Sequence, residues 1–469
     1  MRLRYFFTNS VGILFSRVLG FIRDLMTAST VGANIYSDIF FVAFKLPNLF
    51  RRIFAEGAFM QTFLPSYAAS KHRSVFSIYT TGKLTAVIIV LTLLVILFSN
   101  QITKLLAFGF DDATVALAAP LVAINFFYLL FIFLVTFIAA LLQYKNHFAT
   151  TAFSTGLLNI SMITALLLFK DEQKLTIVYA LSYAVVIGGF LQLVAHLLAI
   201  KALKLCPVIV GGFKYFRKKS QAIKKDVKRF NKNFMPAMWG NSTAQIAAFV
   251  DTWLASFLAS GAISYLYYAN RVFQLPLALF AIAASIALFP SITKALKNAQ
   301  HAKAQLYLNK TFWVVLYLLS FSTIGGFILS SEIVSLLFER GAFSEQNSAD
   351  TAVVLQMYML GLLFFGLAKL FSTILYATHR QGKAAKIATI SLVGNIILSV
   401  VLLIPLGAQG LALASSISGV LLLWFTVKEV GFDKLLDIMS LKKAALFIVA
   451  TALFSIAVLL FKGVLNVYL

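Results

Sequence analysis

The chain is 469 residues long, 61% hydrophobic and 12% charged, with a formal charge of +24. Soluble domains are about 45–50% apolar, and here the excess falls into runs of roughly 20 or more residues, long enough to cross a bilayer core as helix. That excludes a soluble protein. A nucleic-acid partner is argued against as well, because nearly all the positive charge lies in the connections between apolar runs.

The runs are continuous rather than alternating, so they read as helices, which satisfy their own backbone in lipid. Thirteen spans are expected, over 5–30, 37–69, 75–99, 113–143, 149–169, 176–203, 230–258, 264–293, 306–330, 349–378, 385–404, 408–427 and 441–461. The first begins with a basic segment, as a signal peptide does. It continues through Arg17, Arg23 and Asp24 with no small-residue cleavage site, so it is expected to remain as a helix. If the N-terminus is cytoplasmic, 27 of the 40 Lys and Arg fall in cytoplasmic segments and five in external ones. The positive-inside rule predicts that imbalance, and an odd number of spans puts the C-terminus outside. Segment 201–232 carries eleven of these basic residues and one acid, Asp226. It reads as a topology anchor that also attracts anionic headgroups. The single Cys206 leaves no internal disulfide.

The two halves echo each other. Phe44-Lys45-Leu46-Pro47 and Phe63-Leu64-Pro65-Ser66 correspond to Phe273-Gln274-Leu275-Pro276 and Leu288-Phe289-Pro290-Ser291. The first pair is offset by 229 residues, and Asp24 precedes Asp251 by 227. An even number of spans separates the copies, so both run the same way across the membrane, a plan known among transporters. The expected fold is an all-α polytopic membrane protein. Two six-helix lobes would be related by a pseudo-two-fold axis along the membrane normal, with one extra C-terminal helix. Its parts are an N-lobe over 1–203, a basic cytoplasmic linker over 204–229, a C-lobe over 230–428 and the extra helix within 429–469.

Eight basic residues fall inside the spans: Arg17, Arg23, Lys45, Arg51, Arg52, Lys83, Arg271 and Lys369. Only four acids accompany them: Asp24, Asp38, Glu56 and Asp251. A Lys or Arg at the centre of a span costs about 2.5–3.5 kcal/mol on insertion scales, so these side chains are expected to face partners or a hydrated cavity. With about 100° per residue, Asp24 returns beneath Arg17 and is expected to hold it, with Gly20 opening the backbone between Arg17 and Arg23. Arg52 and Glu56 form an i, i+4 pair. Pro47 is expected to break the second span. The surplus of cations suits an anionic ligand, and arginine's planar fork suits phosphate oxygens. The five histidines have no metal-ligand spacing, no phosphate loop of the GxxxxGK[ST] type occurs, and the acids in cytoplasmic loops are too sparse for a Mg²⁺-dependent transferase. An enzyme is therefore the weakest reading.

The first seventy residues carry a specific pattern. Ser16-Arg17-Val18-Leu19-Gly20-Phe21-Ile22-Arg23-Asp24 is followed by Asp38-Ile39-Phe40-Phe41-Val42-Ala43-Phe44-Lys45-Leu46-Pro47-Asn48-Leu49-Phe50-Arg51-Arg52-Ile53-Phe54-Ala55-Glu56-Gly57-Ala58-Phe59. This resembles the MurJ (MviN) family of lipid II flippases, as does Ser264-Tyr265-Leu266-Tyr267-Tyr268-Ala269-Asn270-Arg271 further along. The resemblance implies the multidrug/oligosaccharidyl-lipid/polysaccharide exporter fold around a cationic cavity, in a bacterial inner membrane. It implies that lipid II passes from the cytoplasmic to the periplasmic leaflet by alternating access. It also implies substrate contacts at Arg17, Arg23, Arg51 and Arg271, with Asp24, Asp38, Arg52, Glu56 and Ser264 supporting them. Some members bind sodium through an acid of the seventh span, which Asp251 matches. Ser391, Asn395 and Ser415 are its candidate polar partners. Coupling to Na⁺ or to the membrane potential is expected on that ground, and no other cofactor. Two departures stand out: Asn270 replaces the Asp of the second motif, and one extra C-terminal helix stands where relatives commonly have two. Besides lipid II and membrane lipids, the cell-wall synthesis machinery is a candidate partner. The competing functions are export of another lipid-linked oligosaccharide and a non-transporting cell-wall scaffold.

Overall fold

The computed structural model describes the backbone of residues 2–52, 58–219 and 221–468, and the side chains of these except 2–7, 9–10, 239–244, 247–248 and 466–468. Every regular element among the described residues is a helix. The chain divides into two compact units, Met1–Ser260 and Gly261–Leu469.

The first unit contains α1 (Arg2–Val31), α2 (Ile35–Phe50), α3 (Ala58–Ala69), α4 (Arg73–Leu97), α5 (Ser99–Leu106), α6 (Asp112–Tyr144), α7 (Ala149–Leu168), α8 (Lys174–Ala202), α9 (Cys206–Lys214), α10 (Phe216–Lys219) and α11 (Lys224–Ala255). Helix α6 is its axis, packing against α2, α3, α4, α5 and α8. Helix α1 packs along α7, where Gly12 lies against Ala152 so closely that a Cβ would come within 2.6 Å of it. Helix α11 belongs to this unit because its Phe230 sits among Phe59 of α3 and Phe76 of α4, all three buried. By packing, the first unit therefore runs to Ser260 and takes in α11. Charge and repeat spacing mark the linker, but this aromatic cluster decides what α11 packs on.

The second unit contains α12 (Ala262–Pro276), α13 (Ala283–Lys297), α14 (His301–Ile328), α15 (Ser330–Phe338), α16 (Glu345–Ala377), α17 (Gln381–Val430), α18 (Phe432–Leu436) and α19 (Leu441–Tyr468). Helix α17 is two spans joined at Gly407, whose φ of 56° and ψ of −132° are not helical. That φ favours a residue without Cβ. The fold-back lets Asn395 Nδ2 reach Ser415 Oγ at 3.3 Å and brings Lys383 Nζ to within 2.6 Å of Glu429 Oε1. The extra helix α19 lies on α14, with Phe454 stacked 4.5 Å from Phe321 and Lys462 paired with Glu332 of α15 at 3.1 Å.

Among the described residues, nine helices are long and apolar enough to cross a membrane, with α17 counted as one and α12–α13 as another. The expected spans that miss this measure are α1, α2–α3 and α11, three of the segments that carry ionisable residues. The chain is a multi-pass membrane protein. Leu46-Pro47 and its counterpart Leu275-Pro276 are each followed by a π-helical stretch, at 51–52 and at Leu277–Ile282. Pro47 lacks the N–H that would bond to Ala43, and α2 passes into the π-helical residues 51–52 after Phe50.

Candidate functional site

Arg23 is buried in the first unit at 6% exposure. Its Nε and Nη2 donate to Asp24 Oδ1 at 3.1 and 2.7 Å, its Nη1 donates to Asn159 Oδ1 of α7 at 3.0 Å, and its guanidinium lies 5.8 Å from the centre of the Phe44 ring. Asp24 thus holds Arg23, not Arg17 as the helical angles predicted. The long Arg23 side chain wraps back to its neighbour while also reaching α7, and Arg17 is exposed. Gly20 does not open onto free space, since a Cβ there would meet Asn159 Nδ2 at 3.5 Å.

Asn159 is the residue that sequence reasoning missed. Its Nδ2 donates to the Ser16 carbonyl at 3.0 Å while its Oδ1 receives Arg23, so one amide grips α1 at two levels. The available signal was a lone carboxamide within an apolar span, since polar groups in spans tend to bridge helices.

Arg51 caps the C-terminal end of α2, and its Nη1 donates to the Tyr128 hydroxyl of α6 at 3.3 Å. Arg52 is exposed and its Nη1 donates to Gln245 Oε1 of α11 at 3.4 Å. Glu56 lies outside the described residues, so the expected Arg52–Glu56 pair does too. Asp38 is buried at 2% in the first turn of α2, whose N-terminus is closed by the reciprocal bonds of Asn34 and Ser37. Lys45 Nζ donates to the hydroxyl of Thr252, the residue after Asp251.

In the second unit, Arg271 Nη2 donates to the Tyr267 hydroxyl at 2.7 Å, and the guanidinium lies 4.7 Å from the same ring's centre. Asn270 accepts instead from Gln274, one turn on. The departure from the family motif therefore joins a local amide pair, and the tyrosine orients the arginine. Ser264 is fully buried in the first turn of α12.

The expected sodium ligands fall in different units. Asp251 Oδ1 is enclosed and has no hydrogen-bond partner among the described residues, which fits a cation. The first unit supplies a cation of its own, since the Lys45 ammonium and Asp251 attract each other. In the second unit the donors are spent locally: Ser391 Oγ on the Ser418 carbonyl at 2.8 Å, and Asn395 Nδ2 on Ser415. Asn395 Oδ1 is the oxygen there with no hydrogen-bond partner among the described residues.

Residues 27–469 match the family model described as lipid II flippase MurJ. A protein of Helicobacter pylori (strain ATCC 700392 / 26695), named probable lipid II flippase MurJ, is 50% identical over 443 residues, 93% of this chain and 96% of that one. One of the same name from Aquifex aeolicus is 32% identical over 397 residues, 81% of this chain and 74% of that one. Among solved structures, a lipid II flippase MurJ in an inward closed conformation superposes with a TM-score of 0.79 at 26% identity, covering 97% of this chain and 98% of that one. An inward-facing multidrug transporter of the MATE family shares the fold alone, with a TM-score of 0.65 at 13% identity over 91% of this chain and 96% of that one. With half its positions shared with a relative of nearly the same length, the chain belongs to the MurJ family of lipid II flippases.

Proposed function

We propose that this chain carries lipid II from the cytoplasmic to the periplasmic leaflet by alternating access, and that Arg51 and Arg271 take its diphosphate. As a lipid II flippase the chain is a transporter, not an enzyme. The observation behind the arginine assignment is that each guanidinium is set in place by a tyrosine hydroxyl, Arg51 by Tyr128 and Arg271 by Tyr267. A phenol hydroxyl fixes the direction of the fork, and arginine's planar fork is suited to phosphate oxygens. Arg17, exposed on α1, would meet the substrate as it enters. Arg23 is assigned to holding α1 against α7, and it reaches substrate only by giving up the Asn159 bond. The charge distribution between loops supports a cytoplasmic N-terminus.

Two further parts belong to the same reading. An apolar cavity of about 390 Å³ in the second unit, walled by Phe312, Phe371, Leu423 and Phe447 among others, would accept part of the lipid tail. Asp251 is the acid through which sodium or the membrane potential would act, with Lys45 competing for it.

The test is complementation of a strain depleted of its own flippase, with expression checked, together with binding of lipid II to purified variants. A charge-assisted hydrogen bond contributes about 1.5–3 kcal/mol, so Arg51→Ala and Arg271→Ala are each expected to weaken binding by about tenfold or more. Lysine would rescue in part, because it keeps the charge and loses the fork. Normal growth and normal lipid II binding by both alanine variants would refute the assignment.

A further inference from the structure

A second cationic feature lies in the first unit, away from the span arginines. Helix α3 ends at Ala69 and α4 begins at Arg73, and the turn between them opens into a cavity of about 540 Å³. Lys71, Arg73 and Lys219 line it together with Ser74 and Tyr215. No acid lines it. Asp226, outside the lining, accepts from the hydroxyl of Ser70, which does line it, at 2.6 Å.

The walls are built rather than incidental. Helix α9 can lie on α4 only because Gly212 has no side chain: a Cβ would sit 2.3 Å from Ile78 Cγ1 and 2.5 Å from the Ser74 carbonyl oxygen. Helix α10 is pinned to α4 by the stacked rings of Phe216 and Tyr79, 5.9 Å apart. Lys219 lies 5.5 Å from the Tyr215 ring and Arg73 5.5 Å from the Tyr144 ring, so two of the three cations rest on aromatic faces at the cavity edge.

An independent feature adjoins the cavity. Val210 and Phe213, three residues apart on α9, are 61% and 67% exposed, and Lys214, Arg217 and Lys218 follow them. An apolar stripe beside a basic one is the pattern of a helix that lies in a membrane interface, its apolar face among acyl chains and its cations at the phosphates.

We propose that this cleft binds the phosphate of an anionic phospholipid headgroup, with Val210 and Phe213 seated in the adjoining acyl region. The cations supply the charge complementarity, the cavity holds a phosphate with its ester oxygens, and the exposed stripe selects a lipid over a soluble anion. The proposal rests on the chain's lying in a membrane and not on what it transports.

The test uses the full chain in nanodiscs of phosphatidylcholine with increasing phosphatidylglycerol, with retained lipids counted by native mass spectrometry. Lys71→Gln, Arg73→Gln and Lys219→Gln together are expected to lower phosphatidylglycerol retention at least tenfold. Lys224→Gln, Lys225→Gln and Lys228→Gln together remove as much charge from exposed positions that do not line the cavity, and are expected to leave retention unchanged. Phe213→Gln is expected to lower retention of phosphatidylglycerol without altering any weak binding of inorganic phosphate. Melting of each variant in pure phosphatidylcholine checks folding, and Lys219→Gln alone replaces the triple variant if that one fails to fold. Equal loss in both triple variants would reduce the site to diffuse surface attraction and overturn the proposal. So would unchanged retention in the cleft variant, or displacement of the lipid by an equal concentration of inorganic phosphate.

Discussion

Arg23 gives two of its nitrogens to one oxygen of Asp24, at 3.1 and 2.7 Å, although the two residues are adjacent on the same helix. That geometry leaves Nη1 for Asn159, and so makes the carboxamide part of the charge arrangement.

Replacing Asn159 with Leu removes the acceptor of a buried charged donor and the donor to the Ser16 carbonyl. The Ser16 carbonyl keeps its helical bond, so the loss is chiefly the acceptor of a buried charged donor, about 1–3 kcal/mol. Thermal melting of the purified protein is expected to fall accordingly, and Asn159→Asp, which keeps the acceptor, is expected to lose less. A melting temperature equal to wild type in Asn159→Leu would show that the amide does not hold α1.

Tyr128→Phe and Tyr267→Phe keep the rings and remove the hydroxyls that orient Arg51 and Arg271. Each is expected to weaken lipid II binding about three- to tenfold, the equivalent of one modest hydrogen bond. That is less than the loss from replacing the arginine itself. A titration of lipid II against the four single variants checks the order, and equal losses for tyrosine and arginine would contradict an orienting role.

Lys45→Met removes the ammonium that Asp251 attracts. Sodium-specific stabilisation, measured as the difference in melting between NaCl and KCl, is expected to be weak in wild type and to strengthen in Lys45→Met. It is expected to vanish when Asp251→Ala is added. A strong sodium effect in wild type that survives Asp251→Ala would place the ion elsewhere.

At the start of α6, outside the apolar core, Asp111 Oδ1 accepts from the Thr114 backbone N–H at 3.0 Å. Hydrogen bonds from Thr114 hold its carboxyl below the ordinary 3.8. The bound form is the ionised one. Its contribution is therefore complete above the ordinary value and fades as pH falls through the lowered one. Amide exchange over 112–115 is expected to quicken in that acid range beyond the intrinsic rate. In Asp111→Asn, which still accepts but does not titrate, it is expected to follow the intrinsic rate throughout.

The helical fold and family were legible because apolar runs, loop charge and the motifs around Arg23 and Arg271 are all local in sequence. The fold-back at Gly407 matches the gap between the expected spans 385–404 and 408–427 for the same reason. Pairing was less legible. Helical angles place Asp24 under Arg17, but a flexible side chain with several donors follows the acceptor, and the acceptor set includes Asn159 from a distant span. The roles of Tyr128, Tyr267 and Thr252 were not legible because a phenol or hydroxyl in an apolar run looks the same whether it packs or positions a charge. The place of α11 depended on Phe230, one of 46 phenylalanines.

The double grip of Asn159 also limits how this protein can move. Because the amide holds both Ser16 and Arg23, the stretch of α1 between them cannot slide along α7 by a turn without breaking two bonds at once. Over that stretch the two helices are tied together as a single strut. At the far end of α1, Gly32 has a φ of 82° and leads into the closed turn of Asn34 and Ser37. The strut therefore ends at a glycine turn that the Asn159 bonds do not reach.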